Sequence, residues 1–343
     1  MTTRSRLKLA AALAGICFTV GSASAATVSG YQEVIPGFGQ TSWQLDTYGP
    51  VAPFSGSCGS GSGFVLEDAN SPDGNSDAYD TAWAIFVNGS GFAAPGGNYD
   101  LTGTTATAGP STMSGLQVTV QHYFTTGSAV DRILVTLRNP GLVAIPATVQ
   151  VPINFGSDSS TFIRGTSSGD LVVTTGDRWV VSSENNVAEG GDPVNTTVFY
   201  GPGSPAVTPS SYTQAVCYDS GTQGLGATFN LTIPAGGTRS LMFFAGLGGV
   251  TVNDNLVASA QSAAALFNSN ATLLPGWLTG LTTAQKAQIA NWSFPSTCSG
   301  AGYVGSQLTV CKLACESNST PAVKAALIQA FYTAYHSYPT CSL

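Results

Sequence analysis

Apolar and polar residues alternate with a period of two through most of the stretch from about residue 63 to 250. This predicts β-strands that each bury one face. In the run from 116 to 124, Leu116, Val118, Val120, His122 and Phe124 share one side, and Gln117, Thr119, Gln121 and Tyr123 share the other. The same alternation sets Ile133, Val135 and Leu137 on one face, then Val149, Val151, Ile153 and Phe155, and later Phe229, Leu231 and Ile233. Turn chemistry separates these runs: Asn88-Gly89 is a two-residue hairpin signal, and Asn139-Pro140-Gly141 and Pro234-Ala235-Gly236-Gly237 follow strands in the same way. No helical crossover interrupts the strands before Asn253, so antiparallel pairing is expected. Helical spacing begins only at Asn253 to Phe267. Thr282 and Gln285 then form a capping box that opens a short helix to Asn291, and two more helices are expected over Gln307–Cys315 and from Pro321, capped by Thr320. The pattern therefore predicts an all-β antiparallel β-sandwich, with a supersandwich arrangement as one form of it, finished by helices packed on its edge and a short helical tail.

The first residues change the picture by fixing a destination. Arg4, Arg6 and Lys8 precede an apolar run from Leu9 to Val20, and Ala23-Ser24-Ala25 offers a cleavage site, so 1–25 read as a signal peptide of the bacterial Sec type. Residues 26–292 are then the sandwich with its terminal helices from about 253, and 293–343 the cysteine-rich helical tail. A secreted protein is expected, extracellular or periplasmic. No later apolar run approaches the roughly 18 residues needed to span a bilayer, so no transmembrane segment is expected. With the three leading basic residues removed, eight of eleven remain against eighteen acidic ones, a net charge of −10. Charge is sparse, at 8% of residues, and nothing basic is clustered, which argues against nucleic acid as a partner. Six cysteines remain: Cys58, Cys217, Cys298, Cys311, Cys315 and Cys341. An even number in an exported chain favours disulfides. Two bridges within the tail and one between Cys58 and Cys217 are expected, though spacing alone does not fix the connectivity. Cys311 and Cys315 share a helix face, which favours bridges outward from each over one between them.

Several residues invite a chemical reading. Asp73, Asn75 and Asp77 at alternate positions, with Asp80 beyond, resemble the oxygen-rich start of a calcium loop without its distal glutamate, so a structural Ca²⁺ is the one cofactor to test. Asp158, Asp170 and Asp177 lie in one loop-bearing region, where two carboxylates at the right separation would serve glycoside cleavage, and Trp179 with Arg178 would contact a sugar. Asp is equally a common turn former. Gly165-Thr166-Ser167-Ser168-Gly169 fits a hydrolase elbow, but a strand-like Leu171-Val172-Val173 follows where that motif needs a helix. His122 in the apolar row reads as a buried histidine with its hydrogen bonds satisfied. Six N-glycosylation sequons, beginning at Asn88, Asn195, Asn230, Asn270, Asn291 and Asn318, read as a by-product of an Asn- and Thr-rich chain.

The order of several short patches resembles a β-sandwich segment that recurs in large secreted bacterial surface proteins, over about residues 63–292. The patches are Asp77-Ala78-Tyr79-Asp80, Ser114-Gly115-Leu116, Arg132 with Asn139-Pro140, Gly156-Ser157-Asp158, Ser167-Ser168-Gly169-Asp170, Asp177-Arg178-Trp179, Pro234-Ala235-Gly236-Gly237, and Gly280-Leu281-Thr282 ahead of Ile289. The chain departs from the segment at Val120-Gln121, where relatives tend to be basic, and in its cysteine-rich tail. No settled activity attaches to the segment. The resemblance implies a non-enzymatic surface or matrix protein with an adhesive or scaffolding role, with surface proteins or glycans as partners. The alternative is a carbohydrate-active enzyme or glycan-binding module using the loop carboxylates and Trp179.

Overall fold

The computed structural model describes residues 25–54, 58–157, 161–184, 192–214, 224–248, 254–268, 275–294, 298, 303–315, 317, 319 and 321–336. Its strands are β1 (Ala26–Ser29), β2 (Gln32–Val34), β3 (Ser42–Gly49), β4 (Gly61–Asn70), β5 (Phe86–Val87), β6 (Ser90–Gly91), β7 (Asn98–Thr102), β8 (Thr105–Met113) and β9 (Leu116–Phe124). They continue as β10 (Val130–Arg138), β11 (Ile145–Ile153), β12 (Phe162–Thr166), β13 (Trp179–Ser183), β14 (Asn195–Val198), β15 (Pro209–Thr213), β16 (Leu225–Ile233) and β17 (Thr238–Leu247). The helices are α1 (Asp254–Ala265), α2 (Thr283–Gln288), α3 (Gly305–Cys315) and α4 (Pro321–Tyr335).

Three sheets form. A nine-stranded sheet runs β1-β7-β8-β9-β10-β17-β14-β13-β12, a five-stranded sheet β15-β16-β11-β5-β6, and a three-stranded sheet β2-β3-β4. Every ladder between named strands is antiparallel, as the short connections require. The Asn88-Gly89 hairpin is present between β5 and β6, with both residues at positive φ, 51° and 80°. At the far end of the large sheet, β12 is short, shifts register between Ile163 and Gly165, and carries Arg164 there.

The main core lies between the inner face of the nine-stranded sheet and the two smaller sheets. Trp43 stacks on Phe124 at 5.5 Å, and Phe229 and Trp83 meet Phe243 at 5.4 and 6.1 Å. Strand β9 alternates buried and half-buried positions, as its sequence requires. By contrast, β13 and β14 are buried throughout and β17 from Ser240 to Ala245, because a second layer covers their other face. That layer consists of α1, Phe267, Trp277, Leu281, Ile289 and Trp292, which pack on Leu134, Met242, Phe244, Val181 and Val198. The terminal helices thus cover an outer face of the sandwich, where the sequence led to an edge. Both halves of the expected capping box hold: the Thr282 side chain accepts from the Gln285 amide, and the Gln285 side chain accepts from the Thr282 amide.

The tail builds its own small core. Phe331 is buried against Tyr303 and Tyr335 beside the Cys298–Cys311 disulfide. Cys58 and Cys315 are also disulfide-bonded. Cys217 and Cys341 lie outside the described residues, as do the apolar run 9–20 and Asp158. Among the described residues no helix is long and apolar enough to cross a membrane.

One close approach joins the layers. Gly156 donates its N–H to the carbonyl of Ala78, and a Cβ at Gly156 would sit 1.8 Å from the Asp77 carbonyl oxygen. Rigid backbone stands on both sides of that contact. Gly156→Ala should therefore lower unfolding free energy by about 3 kcal/mol or more, read from urea denaturation. A loss below about 1 kcal/mol would mean that the two segments part easily.

Candidate functional site

The hairpin loop between β12 and β13 carries the carboxylates singled out in the sequence, and the structure shows what they hold. Asp177 is fully buried: its Oδ1 accepts from the Ser168 amide at 3.0 Å, and its Oδ2 from the Thr174 amide and hydroxyl at 2.8 and 3.0 Å. Its own carbonyl accepts from the Tyr212 hydroxyl at 2.8 Å. Burial alone would raise the Asp177 pKa, but the hydrogen bonds from Thr174 and Ser168 outweigh it and hold the carboxyl below the usual range. Asp170 is exposed and closes an Asx turn, accepting from the Val172 amide at 3.0 Å and the Thr166 hydroxyl at 3.1 Å. Ser167 Oγ accepts from the Arg178 amide, which gives the hydrolase-like pattern a turn-forming role.

Trp179 is 6% exposed, and its indole N–H donates to Asn268 Oδ1, which also accepts from the Arg178 guanidinium. The ring expected to stack on sugar therefore packs in the layer beneath α1. Asp170 and Asp177 are brought into one loop, as expected, but they hold its backbone amides and do not face each other across a cleft.

The loop from Asp73 to Asp80 is likewise organised by hydrogen bonds. Asp73 accepts from the Ser71 hydroxyl, which in turn accepts from the Asn75 amide. Asp68 accepts from the amides of Asp77 and Tyr79 at 3.2 and 3.3 Å. Asn154 donates to the Asp80 carbonyl. Among the described residues the group of three His, Cys, Asp or Glu side chains close enough together to share a metal is Cys298, Cys311 and Cys315, all in disulfides.

Two polar residues have roles that the sequence did not reveal. His122 is fully buried with Asp131, Nδ1 to Oδ2 2.6 Å, between the rings of Phe64 and Phe124. The pairing register of β9 with β10 places Asp131 opposite Phe124, hence on the face of His122 one pair away. Counting across the turn would have found it. Arg132, on the opposite face of β10, donates to the carbonyls of Trp277 and Thr279 at 3.0 and 2.8 Å and lies over the Tyr123 ring. Burial pushes its pKa down to about 10, which leaves it charged at neutral pH.

The groups best placed to meet a ligand lie on the outer face of the five-stranded sheet. Asn88 Oδ1 accepts from the Thr148 amide at 2.8 Å, Thr148 Oγ1 donates to Asn230 Oδ1 at 2.9 Å, and Asn230 Nδ2 donates to Ser210 Oγ at 3.0 Å. The row crosses β11, β16 and β15, and three of its members, Asn88, Thr148 and Asn230, line an open groove of about 500 Å³. The groove is lined by Asn88, Pro146, Ala147, Thr148, Asn230, Leu231 and Thr232, without a charged residue. The period-two reading marked these positions only as the solvent side of their strands.

No family model and no curated protein matches the chain. Solved structures that superpose on part of it include a galactose mutarotase-like protein from Lactobacillus casei, at TM-score 0.37 and 10% identity, covering 64% of this chain and 100% of that one. A galactose mutarotase related enzyme from Lactobacillus acidophilus gives 0.35 and 6%, covering 64% and 98%. A heparan sulfate lyase from Pedobacter heparinus gives 0.35 and 8%, covering 66% and 36%. At these scores no residue role is carried over. These proteins are named for sugar chemistry, which runs against the expectation of a non-enzymatic adhesive or scaffolding protein, and that expectation is carried no further.

The lowered pKa of Asp177 has a sign. A carboxyl depressed in the folded state stabilises above its unfolded pKa of about 3.9, and that contribution is lost as pH falls through the folded value. Amide protection at Ser168 and Thr174 should hold from pH 7 to 5 and decline below about pH 4. Equal protection of these two amides in the parent and in Asp177→Ala at pH 7 would sink this account of the loop. If Asp73, Asn75, Asp77 and Asp80 hold a cation, excess EDTA should lower Tm, and an unchanged melting curve would leave only the turn.

Proposed function

We propose that the protein is an exported glycan-binding module that recognises neutral carbohydrate on the outer face of its five-stranded sheet. The observation that carries this reading is the hydrogen-bonded row Asn88, Thr148 and Asn230, continued to Ser210, whose first three members lie on a groove wall that carries no charged side chain among the described residues. Amide and hydroxyl groups donate and accept at once, as sugar hydroxyls do, and the row's internal hydrogen bonds reduce the entropy cost of ordering them on a ligand. The absence of cationic side chains in this groove disfavours sulfated or uronate-rich chains, which would need a counter-charge.

Binding is favoured over cleavage because Asp170 and Asp177 already serve the backbone of their own loop. The Cys298–Cys311 disulfide is compatible with an oxidising, exported location. Resemblance to the surface-protein segment supports the same destination.

A neutral-glycan array followed by calorimetry tests the proposal. Asn230→Ala removes one or two hydrogen bonds of roughly 1 kcal/mol each and should weaken the best ligand about tenfold, while Asp170→Asn leaves affinity unchanged. Retention of affinity in Asn230→Ala, or turnover abolished by Asp170→Asn, would overturn the reading.

A further inference from the structure

A second opening lies on the other side of the molecule, between α1 and the outer face of the nine-stranded sheet. It has a volume of about 330 Å³, within the range of small-molecule pockets. Val130 and Leu247 form its floor, Leu256, Ala260, Ala263 and Leu266 one wall, and Phe267 and Trp277 the other. The two aromatic rings stack at 4.6 Å with 15° between their planes, giving a flat apolar wall. That wall is braced from behind: the Trp277 indole donates to Ser128 Oγ at 3.0 Å, and the Trp277 carbonyl accepts from buried Arg132. Phe38, 36% exposed, contributes from the β2–β3 connection.

Among the described residues the polar side chains that line the opening are Ser128, Thr196 and Ser259, all hydroxyls, and none of the lining residues is charged. Protein interiors are close-packed, and an unfilled void costs stability in proportion to its volume. Here the void persists because a hydrogen-bonded aromatic wall cannot fold down onto the small side chains opposite it.

The geometry points to a binding site for a neutral small molecule with a flat, largely apolar body and no more than one or two hydroxyl or carbonyl groups. A carboxylate or ammonium would be desolvated there without a counter-charge, so charged analogues are excluded. The site is separate from the polar groove in both position and chemistry, and it does not depend on carbohydrate recognition.

Titration with the neutral fluorophore N-phenyl-1-naphthylamine tests this on the full chain. A single saturable rise in emission is expected, and the anionic relative 8-anilinonaphthalene-1-sulfonate should bind at least tenfold more weakly. Ala263 is exposed at the opening, so Ala263→Phe fills the space without disturbing the packed layer and should cut affinity at least tenfold with an unchanged circular dichroism spectrum. Ser259→Trp, at another exposed position on the rim, should do the same and serves if the first variant does not fold. Asn230→Ala should leave the fluorophore's affinity as it was. Non-saturable binding, equal affinity for the two fluorophores, or undiminished binding to a folded Ala263→Phe or Ser259→Trp protein would each overturn the assignment.

Discussion

The structure depends on buried side chains that satisfy backbone groups where strands end between covered layers. A sheet buried on both faces leaves no water for the carbonyls and amides at its irregular margins, and each one left unpaired is costly. Asn139 donates to the carbonyls of Val143 and Ile233 and accepts from the Gly141 amide. Asn291 accepts from the Met242 amide and donates to the carbonyls of Phe199 and Met242, which ties the segment after α2 to β14 and β17. Asn195 donates across the core to the Ala78 carbonyl. Asp177 and Arg132 perform the same task with a charge. In a chain this poor in ion pairs, such uncharged clamps take over the fixing of one layer against another.

This constraint also explains the short patches that recur along the sequence. Arg132, Asn139, Gly156 and Asp177 all sit where two segments must meet without a gap or an orphaned polar group. Their order along the chain records an architecture of turns and layer contacts. Polar residues in loops serve turns and reactions alike, so the sequence could mark the Asp170 and Asp177 loop as special without distinguishing a cleft from a filled turn.

What was legible followed from local physics. The period of two in β9, β11 and β16, the Asn88-Gly89 hairpin and the Thr282 capping box all stand as read, because each depends on neighbours within a few residues. The position of the helices did not: β10, β13, β14 and β17 are buried on both faces under a second layer, and a strand such as Asn195-Thr196-Thr197-Val198 carries no apolar run that would signal it. The His122–Asp131 pair required a register across a turn, and the polar row on the five-stranded sheet required four separate segments to be laid side by side. The first could have been counted across the turn, while the second needed the fold.

The end of the large sheet has a consequence for crowded conditions. A chain with only 8% charged residues has little electrostatic repulsion to keep copies apart, and an open strand edge would then template polymerisation. At β12 the strand is five residues long, its ladder slips by one residue, and Arg164 occupies the slip with its guanidinium turned to Ser183 and the Glu184 carbonyl. A second molecule offering a straight strand would find the spacing of donors and acceptors broken midway and a cation to desolvate. At this margin, resistance to strand addition thus rests on a bulge and one arginine.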